Sequence, residues 1–403
     1  MPRLPFVSFL TLALLAGSVC PLGARDYRVI VPATSQDRAG QVVSFELPSD
    51  APVPAAVVDP AGHSHPVQPD EDGRRASFVI PFQRAGEALT LKLTKSTSSS
   101  PTQVQTRHDG PRLDLAASDK PILSYWVGVR PPPRPEIDPV YRRSGFIHPV
   151  FTPSGAEVTD SYPANHVHHH GIWSPWTKVV FQGRPTDFWN VKSKLGTVEG
   201  EGLTREWSGP VHAGFVARHR FIDLSSGAPI VALNENWEVT VYAPTGDGPH
   251  VFDLTITQSC ATNDPLILPE YHYGGLGYRG PAEWDGADRA RFLTSEGLTD
   301  RVAAHATRAR WCHIGGEVNG RLAGTAILGH PANFRAPQPM RIHPKEPFFC
   351  FAPSQLGDWQ ISPGETYTAR YRFVVADGEP NAAQIEAYWQ GFAETAQARL
   401  EPL

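Results

Sequence analysis

The stretch VHAGFVARHRFIDLSSGAPIVALNENWEVTVY, residues 211–242, decides the fold class. Apolar and polar residues alternate on both sides of Ser225-Ser226-Gly227-Ala228-Pro229. A period of two marks half-buried strands, and a Gly/Pro cluster between two such runs marks a hairpin. In the second run Glu235 and Trp237 share one face, while Asn234, Asn236 and Glu238 share the other. Neighbouring strands this long, joined by a short turn, are antiparallel and point away from βαβ units. Ile122–Val127, His250–Cys260, Gly324–Leu328 and Tyr367–Val375 are further strand candidates. The 40 prolines and 35 glycines favour short strands and loops, because proline is excluded from helix interiors and central strands.

Upstream, Tyr27–Val31, Val42–Leu47, Ala55–Val58, Ala76–Ile80 and Leu89–Leu93 are strand-length runs separated by turn formers. The Ser/Thr-rich stretch that begins at Lys95 reads as a linker. Asn381–Leu400 alone has helical spacing, with Pro380 near its start. The expected architecture is mainly β. A small β-sandwich domain and linker occupy 25–112, a large antiparallel β-sandwich 113–380, and a C-terminal helix 381–403.

Met1-Pro2-Arg3 and the apolar run Phe6–Val19 read as a signal peptide over residues 1–24, with cleavage fitting after Cys20 or Ala24. The expected location is periplasmic or extracellular. No later stretch reaches the roughly 18 apolar residues of a membrane span, so none is expected after cleavage. A net charge of -5 without a basic block argues against nucleic acid as partner. Cys260, Cys312 and Cys350 are too widely spaced for a disulfide framework. One bridge plus a buried thiol, or three buried thiols, both fit.

Chemistry concentrates in a few segments. In His166-Val167-His168-His169-His170-Gly171-Ile172-Trp173, four of five consecutive residues are imidazoles. Histidine is the side chain that titrates near neutrality and the commonest metal ligand. If the run is extended, His166, His168 and His170 share a face, and His166 and His168 are candidate ligands for a divalent metal. Further ligands would come from His148, His272, Glu270 or Asp187. His148 lies in a rigid Pro-flanked segment. Asp187-Phe188-Trp189-Asn190 places an acid beside aromatic rings, which suits a sugar: ring faces stack on C–H groups while the acid binds hydroxyls. Glu270-Tyr271-His272-Tyr273-Gly274-Gly275-Leu276-Gly277-Tyr278-Arg279 supplies an acid, a base and a cation, with glycines that allow close approach. In His330-Pro331-Ala332-Asn333-Phe334-Arg335, Asn333 and Arg335 stand between prolines, ready for a polar ligand. A Rossmann fingerprint, P-loop, nucleophile elbow and zinc-protease helix are all absent.

Together these segments resemble a family of uncharacterised secreted bacterial proteins, a domain of unknown function often labelled PmoA-like or "methane oxygenase". The matches are His148-Pro149, Thr152–Gly155, His166, His168, His169, Gly171-Ile172-Trp173, Asp187-Phe188-Trp189, Tyr273–Gly277 with Arg279, and His330-Pro331 with Asn333, Arg335 and Pro337. They cover about 120–375 of the chain. Asn165 stands where that family tends to have Asp, and His170 where it tends to have Arg. The resemblance implies carbohydrate metabolism and a sandwich of the galactose-mutarotase type. The oxygenase label fits poorly, because methane oxygenase membrane subunits are built of transmembrane helices.

The leading expectation is therefore an exported carbohydrate-active enzyme, a hydrolase or lyase. Its catalytic residues would be His168, His169, Glu270 and His272. Its binding residues would be His148, His166, Trp173, Asp187, Trp189, Tyr273, Arg279, Asn333 and Arg335. Two alternatives stay open: a transition-metal-dependent oxidative protein using the His run, and a non-catalytic carbohydrate-binding protein.

Overall fold

The computed structural model describes residues 26–48, 53–95 and 102–403. The expected signal peptide and the first residues of the expected linker lie outside them. The 211–242 hairpin forms as the alternation requires. His212–Asp223 pairs antiparallel with Ile230–Tyr242, with Ala217 opposite Trp237 and His219 opposite Glu235. These strands belong to an eight-stranded antiparallel sheet, the central sheet. Its spatial order is Gly196–Trp207, His212–Asp223, Ile230–Tyr242, His250–Cys260, Thr366–Asp377, Arg321–Gly329, Trp311–Val318 and Arg291–Thr294.

A second eight-stranded sheet faces it. Its order is Met340–Ile342, Phe348–Phe351, Leu276–Arg279, Ile172–Trp173, Ile147–Val150, Lys120–Trp126, Arg112–Ala117 and Val104–Asp109. Phe215, Ala217, Trp237 and Val239 of the central sheet share one buried core with Leu113, Leu115, Ile172, Tyr278 and Phe349 of the facing sheet. Burial of apolar area between the two sheets is the dominant stabilising term of such a sandwich.

Glu235 turns into this core as the alternation implies, and it is not left alone. Its carboxylate lies 2.6 Å from His219 Nδ1 and accepts from Gln258 Nε2 at 2.7 Å. The Tyr125 hydroxyl of the facing sheet meets His219 Nε2 at 2.5 Å, and Trp176 Nε1 donates to Gln258 Oε1 at 2.7 Å. A buried polar chain satisfied at each link fixes how the two sheets sit on each other.

Two expectations about boundaries change. Val104–Asp109, within the expected linker, is an edge strand of the facing sheet paired with Arg112–Ala117. Val104 is its single buried residue, so the run carries no apolar alternation to announce it. The C-terminal helix is Ala382–Ala393, capped by the Asn381 side chain accepting from Gln384 N. It does not continue to 400. Ala396–Gln397 runs parallel to Arg38–Glu46, and Arg399–Pro402 runs antiparallel to Tyr27–Val31. Ala396 and Leu400 fit a helical face, but together with Ala398 they fit a period of two, and here all three pack into the N-terminal core. The N-terminal unit is thus two small sheets, each completed by residues from the C-terminal end.

The helix joins the units. Ile385, Ala387 and Tyr388 pack with Ala39 of the N-terminal unit and with Val251, Trp311, Leu328 and Val374 of the central sheet. Cys260, Cys312 and Cys350 are free thiols. No helix among the described residues is long and apolar enough to cross a membrane.

Deleting residues 395–403 should leave Tyr27–Val31 and Arg38–Glu46 with unpaired edges. Amide exchange there is expected to rise well above that of the intact chain while the His212–Tyr242 hairpin keeps its protection. Unchanged exchange in Tyr27–Val31 would contradict the pairing.

Candidate functional site

The site grows from one end of the facing sheet. Trp173 pairs with Gly277, Gly277 with Cys350, and Cys350 with Arg341, so these residues share a face. Their neighbours Ile172, Tyr278, Phe349 and Ile342 point into the sandwich core. The first row therefore lies on the outer face. Over it sits a separate apolar cluster of Phe146, Trp173, Trp189, Phe348, Cys350 and Ala352, with Tyr273 packed against it.

The glycines of the 273–279 segment serve these aromatics. A Cβ on Gly277 would come 2.8 Å from the Trp189 ring and 3.2 Å from the Trp173 ring. Gly275, with φ +104°, lies against Trp176 and the Phe351 carbonyl. The expected close backbone approach is thus made to tryptophans.

The His run enters just before Trp173 and is not extended. His166 N donates to Pro163 O and His169 N to His166 O at 2.9 Å, so the run is two successive turns. Gly171 ends it at φ +41°, where a Cβ would lie 2.2 Å from the Ile147 carbonyl oxygen. No other residue fits that position. The turns separate the four rings. His166, His168 and His169 cluster with centroids 4.7–5.5 Å apart. His170 turns away to Phe146 and Tyr162, with Nδ1 3.2 Å from the Ser161 hydroxyl.

These three rings open on a pocket of about 220 Å3. Its floor is Trp189 and Phe348, with Phe348 stacked on His169 at 4.8 Å. Its rim is Asn190, His272, Tyr273, Arg341 and His343. A larger cleft of about 580 Å3 lies beside the N-terminal unit, but its histidine is engaged: Trp207 Nε1 donates to His212 Nδ1 at 2.8 Å. In the smaller pocket, among the described residues, His168 and His169 have no hydrogen-bond partner on their ring nitrogens, and His169 Nδ1 is fully buried.

Charge at the site is organised by Arg279, which is fully buried. Its guanidinium donates to Glu346 Oε2 at 3.0 Å, to Asp285 Oδ1 at 2.8 Å and to Asn165 Oδ1 at 3.0 Å. The same Glu346 oxygen lies 2.9 Å from His166 Nδ1. Burial pushes the Glu346 carboxyl up, but His166, His343 and Arg279 outweigh it and hold the carboxyl below its ordinary value. A carboxylate 2.9 Å from Nδ1 favours the proton on that nitrogen, although the approach lies outside hydrogen-bond angles, and Nε2 is then the accepting nitrogen. His343 has the opposite polarity. Its Nδ1 accepts from Lys345 N and Glu346 N at 3.3 and 3.1 Å, which leaves the proton on Nε2. Burial, helped by His166 and opposed by Glu346, holds His168 down at about 4. Burial also lowers His169 and His170 well below the usual imidazole value. Tyr273, desolvated and donating to Asn190 Oδ1 at 3.1 Å, is pushed up to about 12.

The structure thus brings His166, His168, His169, Trp189, His272 and Tyr273 together and places the other candidates elsewhere. Trp173 lies beneath the floor, 4.8 Å from Trp189. His148 is buried against the Thr159 hydroxyl at 3.1 Å. Asp187 closes a turn, accepting from the backbone of Trp189 and Asn190 and from the Asn190 side chain. Glu270 is exposed, with its main chain bonded to Asp358 and Lys178. Asn333 bridges to the Arg370 main chain, and Arg335 donates to the carbonyls of Pro353, Gly357 and Asp358. The Asp187, Asn333 and Arg335 side chains thus serve backbone atoms that would otherwise lack partners. Asn190, Arg341, His343, Glu346 and Phe348 were missed by sequence reasoning. For Arg341, His343 and Glu346 the available signal was a basic and acidic cluster between Pro339 and Pro347. Among the described residues, no three His, Cys, Asp or Glu side chains are gathered as a metal-ligand set.

Replacing Arg279 with Met would leave Glu346 and Asp285 without their buried cation. A stability loss of about 3–5 kcal/mol in denaturant unfolding is expected, because removing one partner strands the other charges.

His148, His168 and His313 have folded-state values held by burial at about 3, 4 and 4, against 6.5 for the free side chain. Below 6.5 the unfolded chain binds protons that the folded chain refuses, so stability is full above 6.5 and falls as pH drops towards 4. A melting temperature that stays flat between pH 7 and pH 4 would contradict this.

Residues 112–390 match the family of unknown function DUF6807. No curated protein matches the chain. The matched segment contains every residue of the pocket and omits the strands Tyr27–Thr94 and Ala396–Pro402 that build the N-terminal unit. The chain belongs to DUF6807, a family of unknown function.

Proposed function

We propose that this protein is an exported carbohydrate-active enzyme, a hydrolase or lyase, and that it holds one sugar ring in the pocket over Trp189 and Phe348. The observation that carries this reading is the 2.9 Å approach of the Glu346 carboxylate to His166 beside His169, whose buried Nδ1 has no hydrogen-bond partner. A stable core does not leave such groups unpaired without cost, whereas a ligand rich in hydroxyls would satisfy them. At about 220 Å3 the pocket is smaller than the roughly 300–1,000 Å3 of drug-sized sites, which suits a single ring. The likeness to galactose-mutarotase-type sandwiches belongs to the same proposal, with the two large antiparallel sheets in its support; fold alone does not fix chemistry.

Within this reading the general base is His166, in place of His168 or His169. A base must accept a proton, and the Glu346 carboxylate stabilises the charge that follows. His168 and His169 resist protonation and serve as neutral hydrogen-bonding groups. His343 Nε2–H is a fixed donor.

The test is a panel of neutral and acidic oligosaccharides offered to the full-length secreted chain, with binding and product formation both measured. His166→Ala is expected to lower kcat/KM by about 10²–10⁴, with the melting temperature unchanged. Absence of both binding and turnover across the panel would remove this proposal.

A further inference from the structure

We infer that the sugar this pocket takes carries a carboxylate, that Arg341 clamps it, and that the bond is broken by β-elimination. The inference rests on the carbohydrate reading above and adds substrate class and reaction type to it.

The argument begins with the charges. Arg341 stands on the strand Met340–Ile342, on the pocket side of the sheet. Its one side-chain contact is Nη1 at 3.4 Å from His305 Nε2, and no carboxylate pairs with it among the described residues. Its neighbour Arg279, by contrast, holds two carboxylates. A half-buried guanidinium with no anion is costly unless a ligand brings one, and its planar fork matches a carboxylate. Burial lowers the Arg341 value by more than the nearby Glu346 carboxylate raises it.

The acids point the same way. Glu346 is occupied by Arg279 and His166, Asp187 by its own turn, and Asp285 by Arg279. Among the described residues, the pocket therefore has no free carboxylate pair of the kind most glycosidases use. It does have what an elimination needs. Proton removal α to a carboxylate requires a cation or strong donors on that carboxylate, to hold the charge that develops. Arg341 supplies the cation and His343 Nε2–H a further donor. His166 Nε2 takes the α-proton. The electron pair of that C–H bond becomes the new carbon–carbon double bond, and the bond to the glycosidic oxygen at the β-carbon breaks. The leaving oxygen takes the Tyr273 phenolic proton, and His166 and Tyr273 reset by proton exchange with solvent. One unsaturated acidic sugar and one alcohol result, with no oxidant or water consumed.

The experiment pairs uronic-acid oligosaccharides with the same oligosaccharides carboxyl-reduced to neutral sugars. The full-length protein should bind the acids more tightly and generate the ultraviolet absorbance of the conjugated double bond from them alone. Arg341→Gln should lower kcat/KM on the acids by about 10²-fold or more, with Arg341→Lys intermediate and both melting like the parent. New reducing ends without a double bond, or equal affinity for acid and reduced sugars, overturn this inference and leave the carbohydrate reading intact. No binding or turnover of either series overturns both.

Discussion

The buried guanidinium of Arg279 is the constraint on which the site depends. A full charge inside a protein persists only where partners surround it. Those partners, Asn165, Asp285 and Glu346, come from three distant parts of the chain. The Arg279 main chain adds two more ties, donating to the Gly171 carbonyl at 2.7 Å and accepting from Asp160 N at 3.0 Å. The turns that carry the histidines and the loop that carries Glu346 are thereby fixed to one strand. Asn165 makes its contact as a neutral acceptor, so Arg279 meets two acids and one amide.

Consecutive residues meet different environments because the His run is turned. His170 joins the packing behind the pocket. His169 lies between Trp173 and Phe348 with a bare Nδ1. His168 faces the pocket, and His166 reaches the Glu346 carboxylate. An extended run would place His170 beside His166 and His168; the turns forced by Gly171 and by the Asp160–Gly171 hydrogen bond exclude that arrangement.

Legibility in the sequence followed periodicity. The His212–Tyr242 hairpin and His250–Cys260 were readable because one face of each is buried and the other is not. Val104–Asp109 was unreadable because an edge strand with one buried residue lacks that contrast. Ala396–Leu400 was misread because Ala396 and Leu400, four residues apart, share a face in a helix and in a strand alike. For the candidate site, the clustered histidines and aromatics include residues that line one pocket, whereas polar residues in proline-rich loops did not discriminate. Asn333 and Arg335 bind carbonyls; Arg341 and His343, a few residues on, line the pocket.

From local sequence alone it follows that the chain is mainly β, that its long strands pair antiparallel, and that His166–Trp173 gathers imidazoles and an indole in one short segment. Those properties are local, since strand alternation, turn formers and residue clustering act within a few positions. Which polar groups meet is set by the packing of distant strands and loops. Glu346 lies 180 residues from His166 in the chain, yet its carboxylate is 2.9 Å from the imidazole. That contact follows from the register of four paired strands and the need to neutralise Arg279, and neither is encoded in any short stretch of sequence.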